Sequence, residues 1–145
     1  MSNSPKSESN IMVLDSESNS NNSAKDISSE LLAREVAEAA DDKKAADIVL
    51  LKVSGISYLA DYFVLATGFS TTQVKAICDS IEEHLETKYE RLPLRVQGKT
   101  DGRWIVIDYG EVIVHIFMAE EREYYNLEAF WGHAERIEYI PAPQN

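Results

Sequence analysis

A chain of 145 residues has room for one folded domain with a closed hydrophobic core, and its 14 basic against 25 acidic side chains leave a formal net charge of -11. That sign repels phosphate backbones and anionic lipid, so it argues against direct sequence-specific nucleic-acid binding and membrane attachment and favours a basic partner. A single cysteine, Cys78, excludes an intrachain disulfide and any multi-cysteine zinc site, while no apolar run approaches the roughly 20 residues that span a bilayer, so a cytoplasmic protein is expected.

Residues 1–27 are rich in Ser and Asn, carry Lys6 and Lys25 against Glu8, Asp15, Glu17 and Asp26, and hold one apolar cluster, Ile11 to Leu14. They are too acidic for a typical transit peptide and too short in their apolar part for a signal peptide, and they read as a disordered tail. Most of the negative charge therefore belongs to the folded part, residues 28–140, with residues 141–145 as a flexible end. In "SSELLAREVAEAADDKK", Leu32, Val36 and Ala39 or Ala40 share one helical face behind a Ser28 or Ser29 cap. "ADIVLLKV" is a continuous apolar run, the pattern of a strand covered on both faces, and "DYFVLATG" is a second strand that ends at a turn glycine, Gly68.

"STTQVKAICDSIEEHLETKY" predicts a long helix, with Ser70 and Gln73 as a capping box and Val74, Ile77, Ile81 and Leu85 as its buried stripe. A weaker strand follows in "LPLRVQG", with Pro93 at its start. "RWIVIDYGEVIVHIF" reads as a hairpin turning at Tyr109 and Gly110, which would pair Asp108 with Glu111, Val106 with Ile113 and Trp104 with His115. Alternation then assigns Ile105, Ile107, Val112, Val114 and Ile116 to the core and Trp104, Val106, Asp108, Glu111, Ile113, His115 and Phe117 to the other face. "EEREYYNLEAFWGHAER" predicts one short helix ending near Gly132, with Tyr124, Leu127 and Trp131 as a stripe, and "IEYIPAP" a last brief strand. Strands and helices in this order imply an α/β fold: a single domain, one mixed β-sheet with helices packed on it.

The glycine turn "TGFST" before a helix N-terminus suits a phosphate, and a G-x-S there is how a magnesium-dependent nucleotidyltransferase signature begins. Such an enzyme needs paired carboxylates spaced D-x-D or D-x-E, because alternate residues share one strand face. They are missing: Asp101 sits in a turn, and Asp108 and Glu111 straddle the hairpin tip. Gly68 and Ser70 then reduce to a turn and a cap. Cys78 falls beside the core stripe without a motif around it, His84 and His133 read as solvated, and no His and acid spacing matches a zinc site. No catalytic residue, metal or cofactor is expected. His115 is either a buried histidine bonded to a neighbour or a surface contact residue, rather than a general base. Tyr124, Tyr125, Phe130 and Trp131 stand among Glu120, Glu121, Glu123 and Glu128, more rings than so small a domain buries easily. Those left exposed match the anchors and acidic rim of a protein interface.

Taken together, "ADYFVLATGFS", "WIVIDYGEVIVHIF" and "REYYNLEAFW" resemble the ribosomal silencing factor family, also called RsfS or Iojap-like, over about residues 28–140. The resemblance implies a nucleotidyltransferase-like fold without the catalytic carboxylates. It further implies a factor that binds the large ribosomal subunit through ribosomal protein uL-fourteen, sterically blocks subunit joining and represses translation under nutrient limitation. The partner-binding residues it points to are Trp104, Asp108, Tyr109, His115, Arg122, Tyr124, Tyr125, Glu128 and Trp131, with Gly110 and Leu127 also matching. A homodimer through the same exposed face is implied as well. A self-associating scaffold and the magnesium-dependent nucleotidyltransferase stand as the alternatives.

Overall fold

Ser28 caps the first helix through its hydroxyl, which accepts from the Leu31 amide at 3.1 Å, and α1 runs Ser29–Asp42 with Leu32, Val36, Ala39 and Ala40 buried as its spacing predicts. The computed structural model describes residues 27–141 and residue 143; the tail expected to be disordered, residues 1–26, and most of the C-terminal end lie outside the described residues. Ile27 packs against the core. After α1 come β1 (Ala46–Lys52), β2 (Tyr62–Gly68), α2 (Thr71–Tyr89), β3 (Arg95–Gln97), β4 (Trp104–Asp108), β5 (Val112–Met118), α3 (Ala119–Tyr125), α4 (Leu127–Phe130) and β6 (Glu135–Glu138).

These strands form one six-stranded sheet in the order β3-β4-β5-β2-β1-β6. Every neighbouring pair is antiparallel except β2 with β5, which run parallel at the centre. All seven residues of β2 are buried, because it has a strand on each side and cover on both faces; the continuous apolar run of β1, Ile48 to Leu51, is likewise buried against both faces, as its sequence predicts. Both long helices pack on one face. There the α2 stripe of Val74, Ile77, Ile81 and Leu85 is fully buried with Ile105, Ile107, Val112, Val114 and Ile116, each side chain contributing about 1.5–3 kcal/mol by leaving water. Val49, Leu51, Phe63, Leu65 and Phe117 face the other way, covered by the short segment that holds Leu127 and Trp131.

The hairpin and the last helix depart from the sequence expectations. The hairpin pairs Trp104 with Phe117, Val106 with His115 and Asp108 with Ile113, so Trp104 is not opposite His115. Its loop residues are Gly110 and Glu111, closed by the Tyr109 amide donating to the Val112 carbonyl at 2.9 Å. A two-residue loop with a positive φ at its first position wants glycine there, and Gly110, at φ 95°, takes it where a Tyr109-first loop would place it on a tyrosine. Asp108 Oδ1 accepts from the Gly110 amide at 2.8 Å and sets the turn. Because the partner shifts by two residues, the face assignment survives the correction.

The last helix is the second correction. Asn126 adopts a left-handed conformation, φ 49° and ψ 54°, and splits it into α3 and α4. Tyr124, Leu127 and Trp131 therefore do not share a stripe: Tyr124 is exposed, while Leu127 and Trp131 are partly buried on the sheet. The final strand begins at Glu135, earlier than expected, and pairs with β1.

Candidate functional site

Across the sheet face away from α1 and α2 the aromatic side chains touch in succession. Trp104, on β4, meets Phe117 at 5.5 Å between centroids and Tyr125 at 4.7 Å, and Tyr125 meets Tyr124 edge-on at 5.0 Å. On the far side Phe63 meets Trp131 at 5.1 Å, and Trp131 meets Phe130 at 5.3 Å. His115 lies between the two groups, 5.6 Å from Phe63 and 5.8 Å from Trp104. The outer rings stay in water: Tyr124 is 81%, Phe130 77% and Tyr125 52% exposed. Edge-on and offset pairs of this kind add about 0.5–1.5 kcal/mol each beyond burial, so the inner rings hold the outer ones in place.

His115 has a structural task. The Trp104 indole Nε1–H donates to its Nδ1 at 3.1 Å, so in the neutral ring the proton sits on Nε2. Burial pushes its pKa down to about 4, which keeps the imidazole uncharged near neutral pH.

Arg122 joins this face to the rest of the fold. Only 11% of its side chain is exposed. Its Nη1 donates to the Asp47 carbonyl at 2.6 Å and to Thr67 Oγ1 at 2.8 Å, while Nε and Nη2 grip the two carboxylate oxygens of Glu128 at 3.1 and 3.0 Å. Arg136 donates to Glu128 Oε2 at 2.6 Å from the other side. The hydrogen bonds from Arg122, more than the burial that opposes them, hold the Glu128 carboxyl below its ordinary range. Arg122 and Glu128 thus clamp α3 and α4 onto β1 and β2. Arg103 acts similarly on the first turn of α3, bonding both Glu120 and Glu121.

Of the residues expected to meet a partner, Tyr124 and Tyr125 are exposed, and Trp104, His115 and Trp131 are partly buried beneath the exposed rings. Arg122 and Glu128 are engaged within the chain, and Asp108 is occupied by the turn and by Arg95 at 3.6 Å. Tyr109 is 2% exposed and packs in the helix-covered core, its hydroxyl without a hydrogen-bond partner among the described residues. It continues the inward alternation of Ile105 and Ile107. Phe130, an exposed ring not among the nine residues the resemblance pointed to, was legible only as part of an aromatic-rich segment.

The turn at "TGFST" is used up internally. Ser70 Oγ accepts from the Gln73 amide at 3.0 Å, Gln73 Oε1 accepts from the Phe69 amide at 2.7 Å, and Gln73 Nε2 donates to the Lys43 and Lys44 carbonyls. A Cβ on Gly68 would come within 2.8 Å of Val74 Cγ2, so glycine is what lets α2 approach β2. His84 is not solvated as expected: its Nε2 lies 2.6 Å from Glu35 Oε1, joining α2 to α1. Glu38 brings a third potential metal ligand near this pair, a grouping invisible in the spacing of the sequence. Against the effect of burial, the His84 hydrogen bond and the Lys88 charge hold the Glu35 carboxyl below its usual range.

The family model described as "Ribosomal silencing factor during starvation" matches residues 25–145. The chain is 43% identical over 98 residues to the ribosomal silencing factor RsfS of Bacillus subtilis, covering 68% of this chain and 82% of that one. It is 39% identical over 112 residues to RsfS of Halalkalibacterium halodurans, covering 77% and 95%, and 37% identical over 114 residues to the chloroplastic protein Iojap of Arabidopsis thaliana, covering 78% and 47%. A crystal structure from Chromobacterium violaceum superposes with a TM-score of 0.70 at 29% identity, over 80% of this chain and 96% of that one. One from Bacillus halodurans does so with a TM-score of 0.66 at 36% identity, over 76% and 99%.

Proposed function

The chain belongs to the ribosomal silencing factor family, and from that membership we propose that its ring-lined face binds the large ribosomal subunit through ribosomal protein uL-fourteen. By covering the surface where the small subunit docks, it keeps the two subunits apart and represses translation when nutrients are limiting. The observation that carries this reading is the trio of exposed rings, Tyr124, Tyr125 and Phe130, on a face stiffened from within. Exposed aromatics on a rigid base lose little conformational entropy on binding, which is what an interface hot spot needs. Glu120, exposed beside Tyr124 and Tyr125, suits a basic ribosomal protein. In this reading Trp104, His115 and Trp131 support the contact rings, Arg122 and Glu128 clamp the segment, and Asp108 and Tyr109 shape the hairpin. Self-association through the same face would compete with the ribosome.

Cosedimentation with purified subunits tests it. The wild-type protein is expected to pellet with large and not small subunits and to prevent their joining, and Tyr125→Glu or Phe130→Glu to abolish both while the fold persists. Trp131→Glu is a poorer probe, because Trp131 packs on Phe63 and its loss would disturb the sheet. Normal binding by folded Tyr125→Glu and Phe130→Glu proteins would sink the assignment.

A further inference from the structure

A cavity of about 310 Å³ lies at the carboxyl ends of the parallel strands β2 and β5, beside α3 and α4, and one of about 290 Å³ adjoins it at the start of β1 and the end of β6. The ends of parallel strands are a common place for ligands in α/β sheets. Asp47 lines both cavities. It sits at a β-bulge with φ 50°, and its carbonyl is held by Arg122 at 2.6 Å, so its backbone is fixed between them. The first cavity adds Glu123 and the Phe69 ring, the second Asp41 and the Tyr139 ring.

Three features define what this trough would take. The carboxylates of Asp41, Asp47 and Glu123 make no ion pair among the described residues, whereas the other two lining acids, Glu128 and Glu138, are paired with Arg122 and Arg136. Phe69 is 70% exposed and makes no ring contact among the described residues, leaving its π face open. Arg122, the positive group at the floor, has its charge met by Glu128. The second cavity also feels a concentrated negative field: the Tyr139 phenol is pushed up first by burial and then by the carboxylates of Asp41, Glu38, Asp42 and Glu35. Free carboxylates beside an open aromatic face attract ammonium and guanidinium groups and repel phosphate.

We propose that the trough is a second recognition site, in which an extended lysine- or arginine-rich protein segment places successive basic side chains in the two cavities on either side of Asp47. The site borders the α3–α4 segment and includes none of the exposed rings Tyr124, Tyr125 and Phe130. Basic side chains reach in along Phe69 and Tyr139, and their charges end against Asp47, Glu123 and Asp41.

Fluorescence anisotropy of a labelled hexalysine peptide titrated with the full-length protein tests this at moderate salt. Saturable binding is expected, weakened about tenfold by Asp47→Asn with Glu123→Gln and about threefold by Phe69→Ala. Glu83→Gln with Glu86→Gln removes the same charge from the exposed side of α2 and should change affinity less than about twofold. Tyr125→Glu should leave peptide affinity intact, which separates this site from the proposed ribosome-binding face. Equal losses from the two charge-matched pairs would mean general attraction to an acidic protein. That result, absence of saturable binding, or loss on Tyr125→Glu would overturn the proposal.

Discussion

Replacing Arg122 by methionine keeps a long apolar stem but removes the guanidinium that ties α3 and α4 to the sheet. The Asp47 carbonyl and the Thr67 hydroxyl would each lose a donor, at about 1 kcal/mol apiece, with Thr67 only 3% exposed. Glu128 would lose its two-pronged partner and keep Arg136, so its share is also about 1 kcal/mol rather than the larger penalty of a stranded buried charge. A loss of about 3 kcal/mol follows, which lowers the melting temperature of a domain this size by about 12 °C. The pH dependence has a definite sign. Because the Glu128 pKa is depressed in the folded state, its contribution is fully present above the unfolded value near 4.5 and fades as pH falls through the folded one. The gap between wild type and Arg122→Met should hold near neutral pH and narrow below about pH 4.5. Thermal unfolding followed by tryptophan emission reads this directly, since Trp104 and Trp131 both belong to the affected face. Arg122→Lys, a point charge without the planar fork, should recover less than half of the loss. An Arg122→Met protein within about 1 kcal/mol of wild type would refute the clamp.

Tyr109→Phe removes a buried hydroxyl without a partner and should raise stability by about 1 kcal/mol in urea titration; destabilisation would show that the hydroxyl is satisfied in solution. The His115 ring, with its pKa near 4, should show no protonation shift by NMR between pH 7 and 5. Because that pKa is depressed below the ordinary 6.5, folding stability should decline as pH falls from about 6.5 toward 4, and His115→Gln should flatten the decline. Cys78 is buried, and its thiol is pushed up to about 12 by burial first and by Glu82 next, so it should resist thiol reagents at pH 8 until the protein is unfolded. Rapid labelling of the native protein would contradict that burial.

Local repetition in the chain was enough to determine the α2 stripe, the covered run of β1 and the two faces of the hairpin, because apolar runs and helical or alternating periods record which side of an element meets the core. The same patterning located the aromatic-rich segment and the acidic balance. Tertiary structure alone decided the rest. The hairpin register turned on which residue could take a positive φ, and Gly110 rather than Tyr109 met that demand. The break at Asn126 separated Tyr124 from Leu127 and Trp131, leaving one in water and drawing the others onto the sheet. Arg122 reaches Asp47 and Thr67, 75 and 55 residues away, and His84 finds Glu35 across a helix pair. Partners so distant leave no trace in spacing, because exposure and pairing are set by the elements that happen to pack alongside, and those are chosen only when the sheet closes its order.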